Sequence, residues 1–194
     1  MTFAAALRDP RAVLPTPKRD GPDYWPTPPC LRAVLHQVIP TVVPPGVGLW
    51  EPSAGDGRLI GAFTSQRRIV LTDLHPQSGR VDAHDFLAPP MPRQAIGCWA
   101  VTNPPYRLLS AFIERGLRLL DQGDIAGLTL LVRSDHITAA ERAEAFNKAS
   151  RVDMCAWRPR WVEGSTGNGR WSNAWVTWQP DHDGPPAMRW WRRP

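Results

Sequence analysis

The sequence predicts an α/β fold, a mostly parallel sheet that ends in an antiparallel C-terminal hairpin. Three observations carry that expectation. Short apolar runs at Val47 to Trp50, Ile69 to Thr72, Ile96 to Val101 and Ile125 to Val132 read as buried strands, and stretches with helical spacing lie between them. Glycine, acidic and amide residues stand just after those runs, where open parallel sheets gather their ligands. The alternation then stops, and Val152 to Trp157 and Asn173 to Trp178 read as two strands joined by a long, glycine-rich loop from Arg158 to Trp171.

Taken in order, residues 1–22 mix prolines with Arg8, Arg11, Lys18 and Arg19 without a sustained period, so they predict a flexible arm. Residues 23–180 hold the folded domain. In it Thr27 suits an N-cap and Pro28 the first helical position. Leu31, Val34, Leu35 and Val38 then give one face of a helix that should end before Pro40. The strand ending at Trp50 runs into Glu51-Pro52-Ser53-Ala54-Gly55-Asp56-Gly57, and Leu59, Ile60 and Phe63 suggest a helix after it. Leu109, Phe112, Ile113, Leu117 and Leu120 mark a helix from about Leu108 to Leu120, and Thr138 is a candidate cap for another over Ala139 to Ala149. Residues 181–194 read as a polar tail that ends Arg189-Trp190-Trp191-Arg192-Arg193. Cations alternating with indoles suit phosphate contact and base stacking, and equally a disordered solubilising end.

Composition narrows the function classes. A chain of 194 residues, 42% hydrophobic, is long enough to bury a core. No apolar stretch approaches the roughly 20 residues needed to span a bilayer, and no signal-like start is visible, so a soluble, cytoplasmic protein is expected. Cys30, Cys98 and Cys155 are widely spaced in apolar surroundings, which predicts buried thiols and neither a disulfide framework nor a metal site. A net charge of +5 favours a polyanionic partner.

The chemistry concentrates in two stretches. Gly55-Asp56-Gly57 follows a strand, and Asp73 closes the next strand 73 − 51 = 22 positions after Glu51. An acid at that spacing is where nucleoside-binding α/β folds hold a ribose, and the glycines let backbone approach the ligand. The sequence lacks G-x-G-x-x-G and G-x-x-x-x-G-K, which disfavours dinucleotides and triphosphates. The second stretch is Thr102-Asn103-Pro104-Pro105-Tyr106, at a strand end. Two prolines remove two N–H donors and fix two φ angles, leaving stiff carbonyl acceptors beside an aromatic face. That arrangement suits a planar base carrying an amino group.

The order Trp25-Pro26-Thr27-Pro28, Glu51 to Gly57, Asp73, Asp85-Phe86 and Asn103-Pro104-Pro105-Tyr106 resembles class I S-adenosylmethionine-dependent methyltransferases of Rossmann-like fold. Within them it resembles the small phage or prophage N6-adenine DNA methyltransferases. The resemblance covers about Tyr24 to Gln179. It implies S-adenosylmethionine as cofactor, with Glu51, Gly55 and Gly57 around its amino-acid portion, Asp73 at the ribose, Asp85 and Phe86 at the adenine, Thr27 and Pro28 closing over the methionine, and Trp25, Ser53 and Leu74 as further cofactor-binding residues. It also implies that Asn103, Pro104, Pro105 and Tyr106 form the catalytic motif, with Asn103 also meeting the cofactor. Tyr106 and Trp161 would then stack on a flipped-out adenine of DNA. No metal or membrane is implied. Asn103 favours adenine over cytosine N4, and no cysteine has the setting a C5-cytosine enzyme needs. RNA bases and a protein glutamine amide remain alternative substrates, and a non-catalytic nucleic-acid-binding module an alternative class. No inserted recognition domain is present, so sequence recognition is expected to be weak, short, or supplied by a second subunit, which a dimer would also provide.

Overall fold

A computed structural model describes residues 25–161 and 169–194. The arm at 1–22 and the middle of the 158–171 loop lie outside the described residues. Eight strands form one sheet in the order β3-β2-β1-β4-β5-β7-β6-β8. They are β1 (Leu49–Glu51), β2 (Ile69–Asp73), β3 (Asp82–Ala83), β4 (Trp99–Thr102), β5 (Gly127–Arg133), β6 (Arg151–Cys155), β7 (Asn173–Trp178) and β8 (Ala187–Trp191). Every pairing is parallel except those of β7, which runs antiparallel to both β5 and β6. The mostly parallel sheet with its antiparallel C-terminal hairpin is the architecture the sequence predicts.

Both faces of the central strands are covered, which is why they read as continuous apolar runs instead of alternating ones. On one side helix α1 (Pro29–Val42) buries Leu31, Val34, Leu35, Val38 and Ile39 against Trp99, Val101, Leu131 and Trp175. The indole Nε1 of Trp175 donates to the carbonyl of Leu31 at 3.0 Å, tying the helix to β7. On the other side helix α2 (Leu109–Asp121) buries Leu109, Phe112, Ile113 and Leu119 against Trp50, Ala100, Leu128 and Leu130.

Gly127 marks the tightest point of the sheet. It lies opposite Trp99 in the β4–β5 register, and a Cβ there would overlap the indole ring, which is itself fixed by an Nε1 bond to Thr129 Oγ1 at 3.0 Å. Gly127→Ala should therefore destabilise the fold by about 1–3 kcal/mol. At this chain length that lowers Tm by roughly 3–10 °C in a thermal melt; an unchanged Tm would mean that the ring has room to move.

Several elements differ from the sequence expectation. Helix α1 is entered through Pro28 and Pro29, with buried Thr27 making no side-chain cap, and it continues through Pro40 to Val42. Pro40 sits in the last turn on the exposed side, where one lost hydrogen bond costs little. Leu59, Ile60 and Phe63 are buried as their spacing suggests, but the backbone there is a series of turns with one 3-10 turn, Gly61–Phe63. Gly61 and Ser65 are poor helix formers, and the stretch before β2 is short. The helix expected over Ala139 to Ala149 is broken into α3 (Ser134–Ile137), a 3-10 turn at Ala140–Arg142, and α4 (Ala143–Asn147). Thr138 Oγ1 donates back to the Asp135 carbonyl at 3.3 Å instead of capping forward. Of the cysteines, Cys98 and Cys155 are buried and Cys30 is half-buried; burial pushes the Cys155 thiol up to about 12. Part of the C-terminal stretch read as a tail, Ala187–Trp191, is a strand paired with β6. Among the described residues no helix is long and apolar enough to cross a membrane.

Candidate active site

The parallel strands deliver Glu51, Asp73, Asn103 and Arg133 to one edge of the sheet, its carboxyl end, and antiparallel β7 starts there with Asn173. The site is assembled along this edge.

The first part is built by β1 and β2. Gly55, at φ 56°, donates its N–H to Asp73 Oδ2 at 2.8 Å, and His75 donates to Asp73 Oδ1 at 2.7 Å. The carboxylate thus clasps the loops after both strands, and each oxygen keeps a further lone pair. Gly57 has φ 81°, and a Cβ there would come within 2.7 Å of Leu71 Cδ1, so the turn requires glycine. Leu74, beside the clasp, exposes 56% of its surface, whereas Ser53 is half-buried in the turn. Asp85 Oδ1 accepts the N–H of Leu87 at 2.9 Å. Phe86 does not line the edge: it is 3% exposed and packs between Trp50 and Phe112, at ring separations of 5.4 and 4.8 Å.

Glu51 is the electrostatic outlier. It is 2% exposed, and its Oε2 is buried without a partner. Burial raises its carboxyl well above the usual carboxylate range; the nearby Asp56 and Asp73 raise it further, against a backbone hydrogen bond from Ile60. An acid whose folded pKa is raised holds its proton longer in the native state than in the unfolded one. The stability it confers is therefore full below the unfolded pKa and is lost as pH rises through the folded value. Glu51→Gln should flatten that part of the stability curve, checked by denaturation midpoints from acid to alkaline pH. A slope identical to the parent's would mean that Glu51 keeps an ordinary pKa.

The second part is built by β4 and the segment before α1. Asn103 Nδ2 donates to the Trp25 carbonyl at 3.2 Å, across 78 positions of sequence. That bond fixes the amide orientation and leaves Oδ1 buried with no hydrogen-bond partner. An acceptor in this state is costly unless something is bound to it. Pro104 is buried and Pro105 half-buried, which holds the turn rigid.

Tyr106 follows in a 3-10 turn, Tyr106–Leu108, within an aromatic and cationic nest. Its hydroxyl accepts from Asn173 Nδ2 at 3.0 Å. His136 stacks on the ring at 5.8 Å and 27°, Trp161 meets it edge-on at 6.2 Å and 85°, and the Arg133 guanidinium lies 5.5 Å from its centre. Arg133 is held by Asp135, its Nε 3.0 Å from Oδ1, and also covers the Trp171 ring at 5.1 Å. Burial raises the Tyr106 phenol, and the nearby Arg133 only partly offsets it. The structure thus brings Trp161 to Tyr106. It adds four residues that sequence reasoning missed: Arg133, His136, Trp171 and Asn173. The available signal was positional, since Arg133 and Asn173 are the terminal residues of facing strands.

No family model and no curated protein matches this sequence. Solved structures do match it in fold. The 23S rRNA methyltransferase ErmE superimposes with a TM-score of 0.54 at 12% identity, covering 84% of this chain and 71% of that one. The catalytic domain of hMettl16, solved with an RNA hairpin, gives 0.56 at 10% identity, with coverages of 86% and 75%. A chain of a type I R-M system gives 0.58 at 16%, with 89% and 45%. A Listeria monocytogenes chain assigned to the class I S-adenosylmethionine-dependent methyltransferases gives 0.54 at 11%, and there this chain covers 84% of itself but 62% of that protein's length. The protein has the fold of the class I methyltransferases.

Proposed function

We propose that this chain transfers a methyl group from S-adenosylmethionine to the exocyclic N6 amine of adenine in DNA. The observation that carries the reading is Asn103, whose Nδ2 is engaged by Trp25 while its Oδ1 is buried and unpartnered.

The residues present fit the cofactor. The orphaned Glu51 Oε2 suits an ammonium group, the glycine turn leaves room for backbone approach, Asp73 has lone pairs to spare for two ribose hydroxyls, and exposed Leu74 offers apolar surface for a nucleobase. Phe86 packs on Trp50, whose indole donates to Thr72 next to Asp73, so its part is to support β2 from the core. When bound, the cofactor supplies a methyl group on a sulfonium, ready for displacement by a nucleophile.

The exocyclic amine of adenine is a poor nucleophile because its lone pair is delocalised into the ring. Asn103 Oδ1 accepts one of its N–H bonds and the Pro104 carbonyl the other, which favours a pyramidal nitrogen with its lone pair directed at the methyl group. Rigid prolines hold both acceptors in place before the substrate arrives, so little reorganisation is needed at the moment of transfer. Tyr106, steadied by Asn173, presents its ring to the flipped base.

The deciding assay uses labelled cofactor with unmethylated DNA, followed by nucleoside analysis. N6-methyladenine in DNA is the expected product. Because ErmE and hMettl16 are structures of proteins that handle RNA, matched RNA and a protein-amide substrate belong in the same assay. Label in RNA or protein alone overturns the DNA assignment.

A further inference from the structure

A groove of about 450 Å3 opens where the segments leading to Trp25 and Trp161 leave the sheet, walled by Pro28 and Ala33 of the α1 entry, Trp157, Arg158 and Arg160 after β6, and Arg193 after β8. It exists because β8 is docked: Ala156 donates its N–H to the Trp191 carbonyl at 2.9 Å, and the Trp191 indole donates to Asp153 Oδ1 at 2.7 Å. Those bonds bring Arg193 to the same place as Arg158 and Arg160, so residues far apart in sequence share one wall. All three arginines are exposed, and they line an opening whose floor is apolar.

Two features connect the groove to the active site. Pro28 stands three positions after Trp25, whose carbonyl holds Asn103, and Arg160 immediately precedes Trp161, which abuts Tyr106. A ligand that placed one unit in the nest and continued along the surface would pass between these walls. Clustered guanidiniums suit an anion repeated along a polymer, and the indole of Trp157 suits a base or sugar lying between the charges. The prolines at the head of α1 contribute apolar faces without N–H donors, which leaves anion contact to the arginines.

We propose that this groove carries the sugar–phosphate backbone of the strand whose adenine enters the site, with Arg158, Arg160 and Arg193 pairing successive phosphates. The assignment rests on the reading of the site as a nucleic-acid methyltransferase. It makes the C-terminal strand part of the substrate interface.

The test is fluorescence anisotropy of the full chain with a labelled, adenine-containing oligonucleotide, as DNA and as RNA of the same sequence, across a salt series. Each lost phosphate contact should lower the slope of log K against log salt by about 0.7–0.9. Arg158→Ala with Arg193→Ala should thus reduce the slope by roughly 1.5 and weaken low-salt binding at least tenfold. Arg93→Ala with Arg118→Ala, which removes equal charge elsewhere, should leave the slope near the parent's; thermal melts confirm that both pairs fold. A parental slope in the groove variant, or an equal loss in the control, overturns the groove assignment. A parent that binds and methylates adenine while the groove variant keeps its slope defeats only this inference, whereas a parent that binds neither nucleic acid defeats the proposed substrate itself.

Discussion

Asn103→Ala should bind cofactor and DNA almost as well as the parent and yet transfer methyl groups a few hundredfold more slowly. The asymmetry follows from when the amide oxygen is used. In the free protein Oδ1 is buried without a partner, and its strongest bond forms only as the target nitrogen becomes pyramidal and its N–H groups become better donors. Removing one such preorganised contact costs on the order of 3–4 kcal/mol in the transition state. Some of the ground-state cost of the orphaned oxygen disappears with it, which offsets part of what is lost with the Nδ2 bond to the Trp25 carbonyl. Single-turnover methylation beside equilibrium binding reads the split directly. A near-parental single-turnover rate on DNA would remove Asn103 from the chemistry. Tyr106→Ala should behave differently, weakening retention of the substrate as well as slowing transfer, because the ring acts before the reaction begins.

Asp73→Ala should lose about 3 kcal/mol of cofactor affinity, roughly a hundredfold. Two effects add. The carboxylate is placed to accept from ribose hydroxyls, and a hydrogen bond to a charged group contributes about 1.5–3 kcal/mol. The same carboxylate accepts from Gly55 at 2.8 Å and His75 at 2.7 Å, so its removal also loosens the two loops that frame the ligand. Asp73→Asn separates the contributions, since an amide oxygen can keep the Gly55 contact while the charge is gone, and it should fall between the parent and Asp73→Ala. Calorimetric titration that finds unchanged affinity in a folded Asp73→Ala protein would detach this residue from the cofactor.

Both predictions concern residues that were visible in the sequence, but the structure changes what each is taken to do. The spacing of Asp73 from the glycine turn suggests a ligand contact; only the folded chain shows that its oxygens are also the clasp between β1 and β2. Asn103 reads as an acceptor because it follows a buried strand and precedes two prolines. Its orientation is set by the Trp25 carbonyl, a partner 78 positions away that no local pattern could name. Phe86 shows the opposite case: the family resemblance implies a contact with the cofactor's adenine, whereas its ring is buried between Trp50 and Phe112.

By itself the sequence determined the positions of β1, β2, β4, β5, β6 and β7, the polarity of the sheet and the carboxyl-edge placement of Glu51, Asp73 and Asn103, because buried strands and the turns after them are written in local composition. The tertiary structure alone decided which side chains meet there. The nest around Tyr106 draws on the ends of β5 and β7 and on α3, and the arginine groove draws on α1, the loop after β6 and the end of β8. The pairing of β8 with β6 was likewise invisible, since Ala187–Trp191 is exposed, charged at Arg189 and without a buried face of its own. Such a strand is held by backbone hydrogen bonds to its neighbour and by one half-buried indole, Trp191, and those interactions depend on a partner brought close by the rest of the fold.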